Sequence, residues 1–183
     1  MAKIRNNIIT QGLSGSLGNQ IVFRAGRGGQ TIVATMPSTG REFNASQLAH
    51  QEAFRQAIAY AKSAKEEAVY LTKAQGTTMT AFNAAVADWF NKPQVLEIDA
   101  EAWTGNISQV IRVKAQDDTF IASVKVTIKD NNGSVVEQGN AVQADGLWWH
   151  YTTSTLAQGG SFNITAVVED LPGNSHELTR PND

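Results

Sequence analysis

Three hydrophobic rhythms succeed one another along the chain. In "NQIVFRAGRGGQTIVATMP", Asn19 to Pro37, short apolar runs flank a glycine-rich turn. Val22 alternates with Arg24 and Ile32 with Ala34, so the stretch predicts two strands near 19–25 and 30–36, ended by Pro37. From Glu42 the spacing changes. Phe54, Ile58, Ala61, Ala64, Ala68 and Leu71 recur every three or four positions, which marks one face of a helix. Asn44 with Gln47 has the form of a capping box, Phe43 with Leu48 the spacing of a hydrophobic staple, and Gly76 is a natural stop. Unbroken, this helix would be roughly 45 Å long at 1.5 Å per residue. A second helix follows the threonine run, with Met79, Phe82, Val86, Trp89 and Phe90 as its apolar stripe and Pro93 closing it. The two stripes predict a helical hairpin. Beyond Pro93 the period becomes two. Val124, Val126 and Ile128 alternate with lysine and threonine, and Phe162, Ile164, Ala166 and Val168 alternate with polar residues. "DNNG" at 130–133 is a hairpin turn. Six or seven such strands predict a β-sandwich.

Composition supports a packed protein: 42% of residues are hydrophobic and 17% charged over 183 residues, with no cysteine. Disulfide frameworks and thiolate chemistry are thereby excluded. The opening residues lack the apolar core of a secretion signal, and no apolar run is long enough to span a bilayer. The expected site of synthesis is the cytoplasm. Charge is unevenly placed. Lys3, Arg5, Arg24, Arg27 and Arg41 stand among residues 1–41 without an acid, giving +5; residues 94–183 carry five basic and twelve acidic residues, giving −7. Such an arm can meet nucleic acid, or the acidic end of a neighbouring copy.

The stretch "ADGLWWHYTTSTLAQGGSFNITAVVEDLPGNS" resembles the closing half of bacterial immunoglobulin-like modules of the adhesin type, which run Asp-Gly-x-Trp-x-Tyr, Leu-x-x-Gly, then a strand ending Asp-x-x-Gly-Asn. Asp145, Gly146, Leu156, Gly159, Asp170, Gly173 and Asn174 match. Trp149 and Tyr151 keep the Trp-x-Tyr spacing, but Gly146 then lies one position too far away, which leaves open whether Trp148 or Trp149 is core. The resemblance implies an immunoglobulin-like sandwich and no particular activity. The N-terminal half is faintly similar to small proteins of bacteria and their phages. The expected fold is therefore α+β: a basic, glycine-rich β-hairpin arm at 1–40, a helical hairpin at 41–93 and an immunoglobulin-like β-sandwich at 94–183.

Candidate chemistry is sparse. "GLSGSLGNQIVFR" lacks the lysine and the following helix of a phosphate-binding loop, and its order is wrong for a dinucleotide fingerprint. His50, His150 and His176 are scattered. "DNNGS" would place Val135 where a calcium loop needs glycine. The acidic pairs Asp117-Asp118 and Glu169-Asp170 are the one arrangement that could share a calcium in a sandwich, but no ligand set meets metal spacing rules. No catalytic constellation, metal or cofactor is expected, and the protein reads as no enzyme. A lone hairpin is marginal in water and its open edges invite another chain. The predicted contacts are apolar ones from Ile21, Phe23, Ile32 and Val33, steered by Arg24 and Arg27, with Trp148 as a further exposed aromatic. These features predict a non-enzymatic structural protein of a self-assembling, phage or phage-like particle. Its partners would be further copies or other particle proteins, with no membrane span. The alternatives are a surface adhesin or glycan-binding module, and a nucleic-acid-binding accessory protein.

Overall fold

The computed structural model describes residues 2–4, 7–26, 29–37, 40, 42–157 and 160–182. Three helices and twelve strands, in three antiparallel sheets, make up the described residues, an α+β architecture. The chain divides into two compact units, Met1–Arg55 with Gly76–Met79, and Gln56–Gln75 with Thr80–Asp183.

The first unit is built on a four-stranded sheet. The two expected strands are β3 (Ile21–Ala25) and β4 (Thr31–Thr35). They are not a lone hairpin. β1 (Ala2–Ile4) pairs with β4 and β2 (Gly15–Leu17) with β3, giving the order β1-β4-β3-β2. Both added strands are three residues long, too short to show an alternation in sequence. Gly18, in the turn between β2 and β3, has φ +56°, where a side chain would be strained. At the start of α1 (Ala45–Ala64), Asn44 and Gln47 cap each other reciprocally: the Asn44 N–H donates to Gln47 Oε1 (3.1 Å) and the Gln47 N–H to Asn44 Oδ1 (2.9 Å).

In the second unit the helical stretch is broken and re-phased. α1 ends at Ala64 and α2 (Ala68–Ala74) restarts after Glu67, whose backbone is extended at φ −62°, ψ 137°. A continuous stripe would have buried Ala68 and Leu71. Both are exposed, and the fully buried residue is Tyr70. Phe54 is exposed as well; the buried face of α1 is Ala57, Ala61 and Ala64. Burying one large aromatic outweighs three residues of helix. α3 (Ala81–Phe90) is capped by Thr80, whose hydroxyl accepts from the Asn83 N–H (3.1 Å). Its buried residues are Ala84, Ala85 and Asp88, whereas Phe90 of the predicted stripe is exposed. Ala61, Ala64, Tyr70, Ala84 and Ala85 form one cluster, against which Leu171 packs.

Eight strands follow: β5 (Gln94–Asp99), β6 (Val110–Gln116), β7 (Ile121–Asp130), β8 (Val135–Asn140), β9 (Val142–Gln143), β10 (Trp148–Thr152), β11 (Phe162–Asp170) and β12 (Ser175–Asn182). They form two sheets, β5-β6-β10-β9 and β12-β11-β7-β8. Inward residues of both, among them Ile111, Val113, Val124, Val126, Ile164 and Val168, share a single core, as the period-two pattern requires. The turn at 130–133 carries its positive φ on Gly133 alone (+80°). The Asp130 carboxylate accepts the N–H groups of Asn132 (2.9 Å) and Ser134 (2.8 Å).

Candidate functional site

The sheet register sorts the predicted contact residues of the first unit onto two faces. Phe23 lies opposite Val33 and Ile21 opposite Thr35, while Leu17 pairs with Ile21 and Ile4 with Thr31. Ile4, Leu17, Ile21, Phe23 and Val33 therefore share one face. Arg24 lies opposite Ile32, which also pairs with Lys3, so these sit with Val22 and Ala34 on the other. Of the predicted apolar contacts, Ile21, Phe23 and Val33 thus lie on the side opposite Arg24, and Ile32 on the same side as Arg24. Arg27 lies outside the described residues. On the apolar face, the Thr31 hydroxyl donates to the Thr10 carbonyl (2.7 Å), and Thr31 is buried. Ile21, Phe23, Ile32 and Val33 are each half-buried.

Trp148 belongs to the second unit, apart from the other predicted residues. On β10, Trp149 and Tyr151 point into the sandwich core, which settles which tryptophan fills it. Trp148 lies opposite Lys114 on the outer face, with the Arg112 guanidinium 5.2 Å and the Lys114 ammonium 5.6 Å from its ring centre. Arg112 also pairs with Asp99. The ring is thus engaged by cations of its own sheet. Inside, the Tyr151 hydroxyl donates to Glu137 (2.8 Å), whose carboxylate also accepts the Ser154 N–H (2.7 Å), the Ser154 hydroxyl (2.8 Å) and the Thr155 N–H (3.1 Å). Burial alone would raise Glu137, but these donors hold it below the usual carboxylate range.

A second polar group in this unit centres on a residue outside the expected sites. Asp88, on α3, is 0% exposed. It sits one turn from both Ala84 and Ala85, so a carboxylate in the middle of a buried helical face was its signal in the sequence. Its Oδ2 accepts from the Tyr70 hydroxyl at 2.5 Å, and Tyr70 in turn meets the Tyr60 hydroxyl at 2.6 Å. Its Oδ1 makes no hydrogen bond of good geometry. Carboxylate oxygens of Asp88, Asp117 and Asp118 lie within 4.8 Å of one another. Asp117 Oδ2 accepts the N–H groups of Thr119 (2.8 Å) and Phe120 (2.7 Å), while its buried Oδ1 makes no hydrogen bond. Asp118 Oδ2 takes the Lys73 ammonium (2.8 Å) and the Asn91 amide (3.0 Å). Lys73 also reaches Thr119 Oγ1 at 2.5 Å.

Burial pushes the Asp88 carboxyl up from its ordinary range; the Thr119 and Tyr70 hydroxyls pull it back, and the Asp117 and Asp118 charges raise it further. Asp118 goes the other way. Burial would raise it, but Lys73 and Asn91 hold it low. Burial also raises Tyr70, and the hydrogen bond to Asp88 adds to this. Of the second expected acidic pair, Asp170 is spent on its own turn, where it accepts the Asn174 N–H (2.6 Å) and side-chain amide (2.8 Å), and Glu169 is exposed. The matched Asp-x-x-Gly-Asn ending is thus a self-closed hairpin turn, and its Asn174 also donates to the Trp89 carbonyl at the end of α3 (3.3 Å).

Among the described residues no helix is long and apolar enough to cross a membrane. No family model and no curated protein matches the chain. Among solved structures, it is similar to an engineered protein at 18% identity and a TM-score of 0.37, over 55% of this chain and 26% of that one. CopC from Methylosinus trichosporium OB3b has the same identity, 18%, and a TM-score of 0.37, over 49% of this chain and 89% of that one. A conjugative transposon lipoprotein from Bacteroides eggerthii DSM 20697 aligns at 16% identity and a TM-score of 0.28, over 51% and 96% of the respective chains.

Proposed function

We propose that this protein is a non-enzymatic structural module of a self-assembling particle, in which the first unit joins one copy to the next and the immunoglobulin-like sandwich forms the body. One observation carries the reading. The first unit contains a four-stranded sheet rich in β-branched residues, yet among its described residues no hydrophobic side chain is buried. Ile8 is 90% exposed, Ile9 80% and Leu17 64%. A sheet that leaves Leu17, Ile21, Phe23 and Val33 on a face without a core gains most of its stability only when another surface covers it. The occupant that fits is the acidic C-terminal half of a second copy. Residues 1–41 carry +5 and residues 94–183 carry −7, which favours encounter and register in a head-to-tail contact. The setting proposed is a phage or phage-like virion, reached from the cytoplasm.

Removal of residues 1–40 should leave a folded monomer that no longer associates, read by light scattering behind size exclusion and by electron microscopy. In the intact chain, replacing Ile21 and Phe23 together by glutamate should have the same effect. Association of the full chain should weaken between low salt and about 0.5 M salt, as the charge term is screened. Association undiminished by both the deletion and the double substitution would falsify the reading.

A further inference from the structure

We infer that Asp88, Asp117 and Asp118 form a binding site for a hard divalent cation, with calcium as the ion that fits. The three carboxylates share one arrangement. Each has an oxygen fixed by protein donors: Asp88 by the Tyr70 hydroxyl, Asp117 by the Thr119 and Phe120 N–H groups, Asp118 by Lys73 and Asn91. Each leaves its other oxygen over. Asp88 Oδ1 is buried with no hydrogen bond of good geometry, only the Thr119 hydroxyl acting on its carboxylate besides Tyr70; Asp117 Oδ1 is buried without a hydrogen bond, and Asp118 Oδ1 has only a long contact from Thr119 at 3.3 Å. Donors that orient ligating carboxylates from behind are what a metal site requires.

A buried carboxylate oxygen without a well-formed hydrogen bond is costly, and here two occur in one cluster. A single cation would satisfy both. Three carboxylates against one lysine leave two negative charges, which a divalent ion cancels. Asp88 also lies near the C-terminal end of α3, where the helix dipole favours a positive charge. The ligands are all oxygen, which selects the hard cations over zinc or copper. Oxygens within 4.8 Å of one another suit calcium, whose ligands stand about 2.3–2.6 Å from the ion, and water would complete the shell. Asp118 is exposed and borders an open cleft of about 420 Å³ with Lys73 and Thr119, so the outer edge of the cluster is open to solvent. Lys73 neutralises the outer carboxylate and is the ion's competitor there.

The inference stands apart from the assembly reading. Its test uses the full chain, stripped with chelator and titrated with calcium by calorimetry, with magnesium as a second arm. Terbium luminescence sensitised by the neighbouring Tyr70 and Trp89 reports whether the ion enters this cluster. The expected result is one saturable calcium site per chain, a melting temperature raised by several degrees, and sensitised terbium emission that calcium displaces. Asp117→Asn should weaken calcium at least tenfold and Asp88→Asn should abolish it, while Lys73→Met should tighten it. Absence of saturable calcium binding up to about 10 mM, beyond the weakest calcium modules, overturns the inference. So does calcium binding that both aspartate substitutions leave unchanged. Because Asp117 is only half-buried, its variant keeps the test decisive if Asp88→Asn fails to fold.

Discussion

Buried carboxylates in this protein take opposite pH signs, and the surroundings of each decide which. Asp88 and Asp170 are raised, first by burial and then by neighbouring charge, that of Asp117 and Asp118 on Asp88 and that of Asp88 and Asp117 on Asp170. A carboxyl whose folded pKa exceeds its unfolded value favours the fold while it keeps its proton, and that contribution is lost as pH rises through the folded value. Glu137 is lowered by Ser154, Thr155 and Tyr151, so its contribution is present above the usual carboxylate range and is lost as pH falls through its folded value. In chelator, Asp88→Asn should therefore melt higher than the unchanged chain near about pH 7, because no charge is left to bury. The gap should narrow as pH falls into the ordinary carboxylate range, because the raised Asp88 takes up its proton on the way down. Melting curves across that range test this; a gap that widens in acid contradicts the account. None of this was legible in the acidic doublets. Asp117-Asp118 stood out as a pair, but their third partner is 29 positions away on a helix that the sequence reading treated only as an apolar stripe.

At the scale of elements, alternation was the strongest signal. It placed the inward residues of β7 and β11 correctly, because a period of two has one solution once a face is buried. Short strands were invisible: β1 and β2 have three residues each and owe their existence to pairing with β4 and β3. The helical break was invisible too, since Lys65, Glu66 and Glu67 are good helix formers and the cause, the burial of Tyr70, lies in tertiary structure. One element-level constraint is sharp enough to test. On β8, a Cβ added at Gly139 would stand 2.8 Å from Tyr151 Cε2. Gly139→Ala must push that ring aside and loosen its hydrogen bond to Glu137. A loss of about 1–3 kcal/mol is expected, read from urea unfolding midpoints. Shortening Tyr151 as well, in Gly139→Ala with Tyr151→Leu, should make the alanine nearly harmless, because the clash is then gone.

For the whole molecule, composition foretold a basic start and an acidic end, and the structure adds where compactness lies. The sandwich core draws all its buried members from Val95 to Val168, so no helical residue is needed to complete it. The helices of the second unit are held by a separate small cluster and by polar ties: Lys73 and Asn91 to Asp118, and Asn174 to the Trp89 carbonyl. Core and ties can therefore be separated by truncation. Residues 94–183 alone should give a folded β protein by circular dichroism, with reduced stability and no calcium binding, since Asp88 is gone. Residues 56–183 should regain calcium binding, because Asp88, Tyr70 and Lys73 all return with Asp117 and Asp118. Both fragments should stay monomeric, lacking the N-terminal sheet. A fragment 94–183 that unfolds would show that the helices, despite their absence from the main core, close the end of the sandwich. One that folds and binds calcium as tightly as 56–183 would place the ion away from Asp88. The two truncations, read together for fold, calcium and association, thus assign each property to the stretch of chain that supplies it.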